Sequence, residues 1–271
     1  MTRERRGAAQ ASPVEPPSPV PAPGVAVEVA TWPPLEVEQV DGWRLGFSGG
    51  LTRRANSALP LAEPADVLAT VVEVERRYRA VGLPTVVRVG RESRPAGLAA
   101  VLEERGYRRV ALTDVLVRDA ADPARGQEPH GPGPDGTRID VSAAPADDWL
   151  ACWLGVKAGG GADHGLARAI LEGAPAVYLT VRDRAGVSGV IRAAFAADWV
   201  GLSCLVVEPQ ARRRGLGRAL TAAALDAARA HGAARAFLQV EVHNTGAAAL
   251  YAGLGFQAAD RYGYLERADQ R

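Results

Sequence analysis

The sequence predicts an α/β protein, on three observations. Short runs rich in β-branched residues recur along it, among them Thr85–Val89 and 199–207. Between them lie stretches whose apolar residues return at helical spacing. Gly and Pro stand at the joints.

The elements follow in order. Residues 1–26 are rich in Pro and lack a core pattern, which predicts a disordered or polyproline tail. After Pro33-Pro34, alternation around Gly42-Trp43-Arg44-Leu45 marks strands, and Thr52 to Ser57 (TRRANS) reads as another short one. Val67, Leu68, Val71, Val74, Tyr78 and Val81 give a helix over 64–81, stopped by Gly82 and Pro84. A strand at 85–89, a short helix from Leu98 to Arg105 and a strand from Tyr107 to Arg118 complete a first unit, 27–120. The Gly/Pro-rich stretch 121–137 reads as a linker. The second unit, 138–271, holds a strand at 138–142 and helices over 145–172 broken by glycines at 159–161. Strands at 176–182, 187–196 and 199–207 follow. The remainder is a helix at 215–231, a strand at 236–242, a helix at 245–253 and a strand at 256–266.

Composition narrows the function. The 32 basic and 31 acidic residues nearly cancel, so no nucleic-acid footprint is expected. No apolar run has the length of a membrane span, and none of signal-peptide type follows the basic start, so a cytoplasmic protein is expected. Cys152 and Cys204 form no CxxC pair and no Cys/His cluster, so free thiols and no metal are expected.

The chemistry concentrates after strand 199–207. Arg212, Arg213, Arg214, Gly215, Leu216, Gly217 and Arg218 join that strand to a helix. Unpaired N–H groups and the helix dipole at such an end bind anions, and the glycines let phosphates approach the backbone. Cations are unfavourable at a helix start, and an anionic ligand removes the conflict. The Walker pattern is absent, and the dinucleotide pattern GxGxxG fails at Leu220.

Further on, Asn244, Ala247, Leu250, Tyr251, Gly255 and Phe256 stand at the spacing NxxAxxLYxxxGF. Together with Arg212-x-x-Gly215-x-Gly217, they make residues 138–266 resemble the GCN5-related N-acetyltransferase (GNAT) superfamily. The stretches DGWRLG and TRRANS are similar to tandem actinobacterial members. Leu102 to Tyr107 echoes Ala252 to Phe256, so the first unit reads as a degenerate copy without the cofactor turn.

The resemblance implies a mixed sheet flanked by helices and acetyl-CoA as co-substrate. It implies that strand 199–207 parts from its neighbour at a bulge, with main-chain groups of Leu205 and Val207 pairing with the pantetheine arm. The N–H near Leu205 would polarise the thioester carbonyl. Residues 212–218 would hold the pyrophosphate, Asn244 the arm, and Tyr251 would protonate the departing thiolate. Asn244 is also a good helix N-cap. Some members carry a Glu base where Gly201 stands here; Asp198, Glu208 and Glu241 are the nearest acids, and none is singled out. His164, in a Gly-rich loop, is a further candidate near the acceptor. Cys204 has no sequence-adjacent His to activate it, so direct attack by the amine is expected. The acceptor stays open between a small-molecule amine and a protein or peptide amine, and the state between monomer and homodimer. Two rivals remain: a non-catalytic acyl-CoA-binding or sensing module, and a dinucleotide-binding oxidoreductase using Gly215, Gly217 and Glu241.

Overall fold

The computed structural model describes residues 20–120, 137–158, 163–184 and 186–267. The Pro-rich tail through residue 19, the linker over 121–136 and the glycines at 159–161 lie outside the described residues.

The N-terminal half runs α1 (Val25–Thr31), β1 (Glu36–Val40), β2 (Trp43–Phe47), β3 (Ala58–Pro60), α2 (Val67–Ala80), β4 (Thr85–Val89), α3 (Leu98–Glu104) and β5 (Arg108–Asp119). The C-terminal half runs β6 (Arg138–Ser142), α4 (Asp147–Ala158), α5 (His164–Glu172), β7 (Ala176–Asp183), β8 (Gly186–Ala196), β9 (Trp199–Val207), α6 (Leu216–Ala230), β10 (Arg235–Glu241), α7 (Thr245–Ala252) and β11 (Gln257–Arg267). The predicted α/β architecture of a mixed sheet with flanking helices is therefore present.

Two elements differ from expectation. The stretch TRRANS is not a strand: Arg53–Ala55 is a 3-10 turn. Asn56 explains it. Its Oδ1 accepts from Ser48 N and Gly50 N at 2.7 and 2.9 Å, and its Nδ2 donates to Thr52 O. A buried side chain that replaces ladder partners favours a turn over a strand. Helix α1 begins at Val25, inside the stretch 1–26 expected as a tail; the prolines before Val-Ala-Val-Glu-Val-Ala-Thr and its β-branched residues hide it in the sequence.

All strands join one sheet, ordered β1-β2-β3-β4-β11-β5-β10-β9-β8-β7-β6. The last strand of each half lies in the middle. β11 pairs antiparallel with β4 and β5, and β5 pairs antiparallel with β10. Each half thereby completes the other's sheet.

The helices cover both faces. α6 and α7 bury Leu216, Leu220, Leu225 and Tyr251 against Ile191, Val200, Leu202 and Leu238. On the opposite face α4 and α5 pack Trp149, Leu150 and Ile170 on Tyr178, Val190 and Val206. In the N-terminal half Val71, Val74 and Tyr78 of α2 and Leu98 and Leu102 of α3 close over Trp43, Leu45 and Val87.

α1 is fixed to both halves by buried polar contacts. Arg88 of β4 donates to the Glu28 carboxylate at 2.5 Å and stacks 3.6 Å from the Tyr262 ring centroid. Gln239 of β10 donates to the same carboxylate. Arg192 of β8, wholly buried, donates to Thr31 O at 2.9 Å and to Leu171 O. Buried charges persist only where such partners satisfy them.

Candidate active site

The site begins where two parallel strands separate. β9 and β10 are in register from Trp199↔Arg235 to Leu202↔Leu238, and there the pairing stops. β10 continues straight, paired to β5 as far as Glu241↔Thr113. β9 diverges, leaving the main chain of residues 203–207 without a ladder on that side.

A bulge causes the divergence. Across β8 and β9, Val190 faces Val206 and Arg192 faces Ser203, so Ile191 opposes both Cys204 and Leu205. Cys204 takes up the extra residue with φ 59°. The insertion reverses the alternation of side chains. Val200 and Leu202 face the α6 core, as do Leu205 and Val207, while Cys204 and Val206 face the α4 core. The expected parting at a bulge is thus observed, with Leu205 and Val207 on the freed segment.

Beyond β9, Pro209–Ala211 forms a 3-10 turn and Gly215 caps α6 with φ 77°. Arg213 also has positive φ, 64°. That left-handed conformation costs little at Gly215 and turns the chain so that the first amides of α6 point outward. Ala219 N is the first to bond back, to Gly215 O. A Cβ at Gly217 would sit 3.4 Å from Leu250 and within 4 Å of Val207 and Leu205, so at this glycine the start of α6 passes close to side chains of β9 and α7.

The four arginines divide. Arg214 pairs with Asp183 at 3.1 Å, Arg218 donates to Gly253 O at 3.1 Å, and Arg212 Nε donates to Val207 O at 3.1 Å. They brace the turn against its neighbours. Arg213 is exposed and makes no ion pair with a described residue. Asn244 caps α7, its Oδ1 accepting from Ala247 N at 3.1 Å, and is exposed. Tyr251 is buried, edge-on to Phe256 with centroids 5.8 Å apart. Burial pushes its hydroxyl up to about 12.

On the α1 face of the sheet, the parted strands open into a cavity of about 180 Å3. Cys204 of β9 and Gln239 and Glu241 of β10 line it. Trp32 and Arg54 come from the N-terminal half and Trp153 from α4. Of the three acids considered from sequence, only Glu241 reaches it. Asp198 is held by Arg235 at 2.6 Å, and Glu208 hydrogen-bonds the buried Cys152, whose thiol is pushed up to about 12 by burial first and by Glu208 second. His164 is exposed at the start of α5 and does not line it. The Gly201 position is closed: a Cβ there would lie 2.9 Å from Thr31 Oγ1 and from the Phe237 ring. Gln239, Trp32 and Arg54 were not singled out from sequence. Gln239 stands two residues before Glu241, hence on the same strand face, which is the available signal.

A family model described as "Probable histone acetyltransferase Rv0428c C-terminal" matches residues 26–265. The chain belongs to this acetyltransferase family. Its membership of the GNAT superfamily, expected from Arg212–Gly217 and Asn244–Phe256, therefore stands. The "Uncharacterized N-acetyltransferase YobR" of Bacillus subtilis is 24% identical to this GNAT chain over 244 residues, covering 87% of it and 94% of the relative. "Probable histone acetyltransferase Rv0428c" of Mycobacterium tuberculosis is 27% identical over 240 residues, covering 87% and 70%. A tandem GNAT protein from the clavulanic acid biosynthesis pathway, solved without AcCoA, shares the fold with a TM-score of 0.65 at 17% identity, covering 93% of this chain and 91% of its own. Among the described residues no helix is long and apolar enough to cross a membrane.

Proposed function

We propose that this GNAT chain moves an acetyl group from acetyl-CoA to a primary amine by direct attack. The observation that carries the reading is the free edge of β9 at 203–207, running into a helix start formed by Gly215, Leu216 and Gly217. The residues fit an acyl-CoA. An edge without a ladder accepts an extended amide-bearing arm as an added strand would. The amides opening α6, with Arg213 beside them, suit a diphosphate.

Acetyl-CoA supplies the activated acyl group; the amine nitrogen bonds its carbonyl carbon as the C–S bond breaks, and the thiolate takes a proton. Leu205 and Val207 hold the arm through their main chain. Glu241, the acid lining the cavity, takes the proton the amine loses. Tyr251, kept protonated by burial, is the donor for the thiolate. The N-terminal half, read as a degenerate copy, serves as the acceptor-side wall through Trp32 and Arg54.

Calorimetry with acetyl-CoA, followed by thiol release with a panel of amines, tests the reading. Micromolar binding and amine-dependent release are expected. Binding without release would leave an acyl-CoA sensor, and binding of NAD in preference to CoA would overturn the assignment.

A further inference from the structure

Gln239 presents one end of its amide to the cavity in a fixed sense. Its Nε2 donates to Glu28 Oε2, the same oxygen that Arg88 holds at 2.5 Å. An ionised carboxylate only accepts, so the amide nitrogen must face Glu28 and Oε1 must turn away from it. That oxygen is enclosed, lies on a residue lining the cavity, and receives no hydrogen bond from any described residue. A buried acceptor left without a donor is a standing cost, and a ligand N–H would relieve it only where the side chains covering this oxygen give way.

The wall contributed by the N-terminal half is deficient in the opposite sense. Arg54 is half-buried there, its guanidinium carbon 4.6 Å from the Trp32 ring centroid. A guanidinium held over an aromatic ring by a cation–π contact keeps its N–H donors for an anion. Arg54 forms no ion pair or hydrogen bond with a described residue. Its neighbour Arg53 lies 3.6 Å from Glu266, so the uncompensated cation is Arg54. On the β10 wall Glu241 stands 3.3 Å from His243 Nε2. The cavity therefore offers carbonyl and carboxylate oxygens from β10 and a free guanidinium from the loop before β3.

We infer that the acceptor is a small amine that also carries a carboxylate, with its N–H groups at Gln239 and Glu241 and its carboxylate on Arg54. The inference rests on the transferase reading and narrows its acceptor. A lysine within a basic peptide fits poorly, because its flanking cations would meet Arg53 and Arg54.

The test uses the full chain saturated with acetyl-CoA. Release of CoA is measured with α-amino acids, with their carboxamides, with the corresponding decarboxylated amines and with a lysine-rich peptide. The acids are expected to exceed their neutral counterparts in kcat/KM by about ten-fold or more, the scale of one charge-assisted contact. Arg54→Met should bring the two within about two-fold by raising KM for the acids alone, and Arg54→Lys should keep part of the preference. Gln239→Leu should lower kcat for every acceptor. CoA affinity should stay at the parent value in each variant; the melting temperature should hold in the Arg54 variants and fall modestly in Gln239→Leu, which loses its bond to Glu28, with an unchanged far-UV spectrum excluding misfolding. Equal turnover of acids and amides, preference for the peptide, indifference to Arg54→Met, or CoA binding with no acceptor used at all would each overturn the inference while leaving the CoA site standing. Failure to bind CoA would remove the transferase reading, and this inference with it.

Discussion

Arg267, at the end of β11, places its guanidinium 2.5 Å from the carboxylate of Glu75 on α2. The same carboxylate accepts from Arg105 at 2.8 and 2.9 Å and from the Tyr107 hydroxyl at 3.2 Å. The cluster fastens the last strand of the C-terminal half to helices of the N-terminal half. Burial by itself would raise the Glu75 pKa, but hydrogen bonds from Arg105 and Arg267 outweigh it and hold it below the ordinary 4.5. A depressed folded value stabilises above 4.5, and the benefit is lost as pH falls through it. Glu75→Ala is expected to cost about 2–3 kcal/mol at pH 7, because it leaves arginines partly enclosed without a partner. In urea melts the gap between parent and Glu75→Gln should narrow on acidification below 4.5. A gap independent of pH would show that packing, not charge, holds this corner.

A second prediction concerns the phosphate turn. Arg213 is exposed and pairs with no described residue, while Arg212, Arg214 and Arg218 each brace the local fold. Arg213→Ala should therefore weaken CoA binding by about ten-fold, near the low end for a charge-assisted bond, without lowering the melting temperature. Arg214→Ala should do both, because it also breaks the ion pair with Asp183. Calorimetry beside thermal melts separates the two, and equal behaviour of the pair would count against the division.

Much of this arrangement is legible in the residues. Thr85–Val89 is a strand bounded by Pro84 and Gly90, and the α6 helix follows from Leu216, Leu220 and Ala224 ahead of Gly232. The bulge is legible too, in hindsight of the pattern: Val200, Leu202, Leu205 and Val207 break step by one residue at Cys204. The exchange of β5 and β11 is not. Both are ordinary strands after a helix stopped by Gly106 or Gly253, and which partner each chooses depends on contacts far apart in the chain. The cavity proposed for the acceptor is not legible for the same reason, since Trp32 and Arg54 line it with Gln239 only through that exchange and through α1.

α1 itself supports a further prediction. Glu28 is 3% exposed and compensates Arg88, which is 6% exposed. Burial raises the Glu28 pKa, opposed by Arg88, so the pair holds its charge against a desolvation cost. Glu28→Leu leaves Arg88 buried without its carboxylate and is expected to cost about 3–5 kcal/mol. The double change Glu28→Leu with Arg88→Met should recover much of that loss in denaturant melts. Recovery of stability without recovery of turnover would further show that Gln239, freed from Glu28, no longer holds its amide toward the cavity.

The proposed proton donor supplies the last prediction. Tyr251 lies on α7 next to Leu250, which packs beside Gly217 at the start of α6, and its hydroxyl hydrogen-bonds to no described residue. With burial pushing it up to about 12, the phenol stays protonated through any workable assay pH. Tyr251→Phe keeps the ring packed on Phe256 and removes only the donor. It should lower kcat by about a hundred-fold, within the usual range for general-acid catalysis, while CoA affinity changes by less than about two-fold. The parent pH–rate profile should show no alkaline decline from this group below pH 10. Equal losses in kcat and CoA affinity would make Tyr251 a binding residue. Intact-mass analysis after incubation with acetyl-CoA gives the companion check on direct attack: no acetyl group should accumulate on Cys204, which lines the cavity beside Gln239 and Glu241.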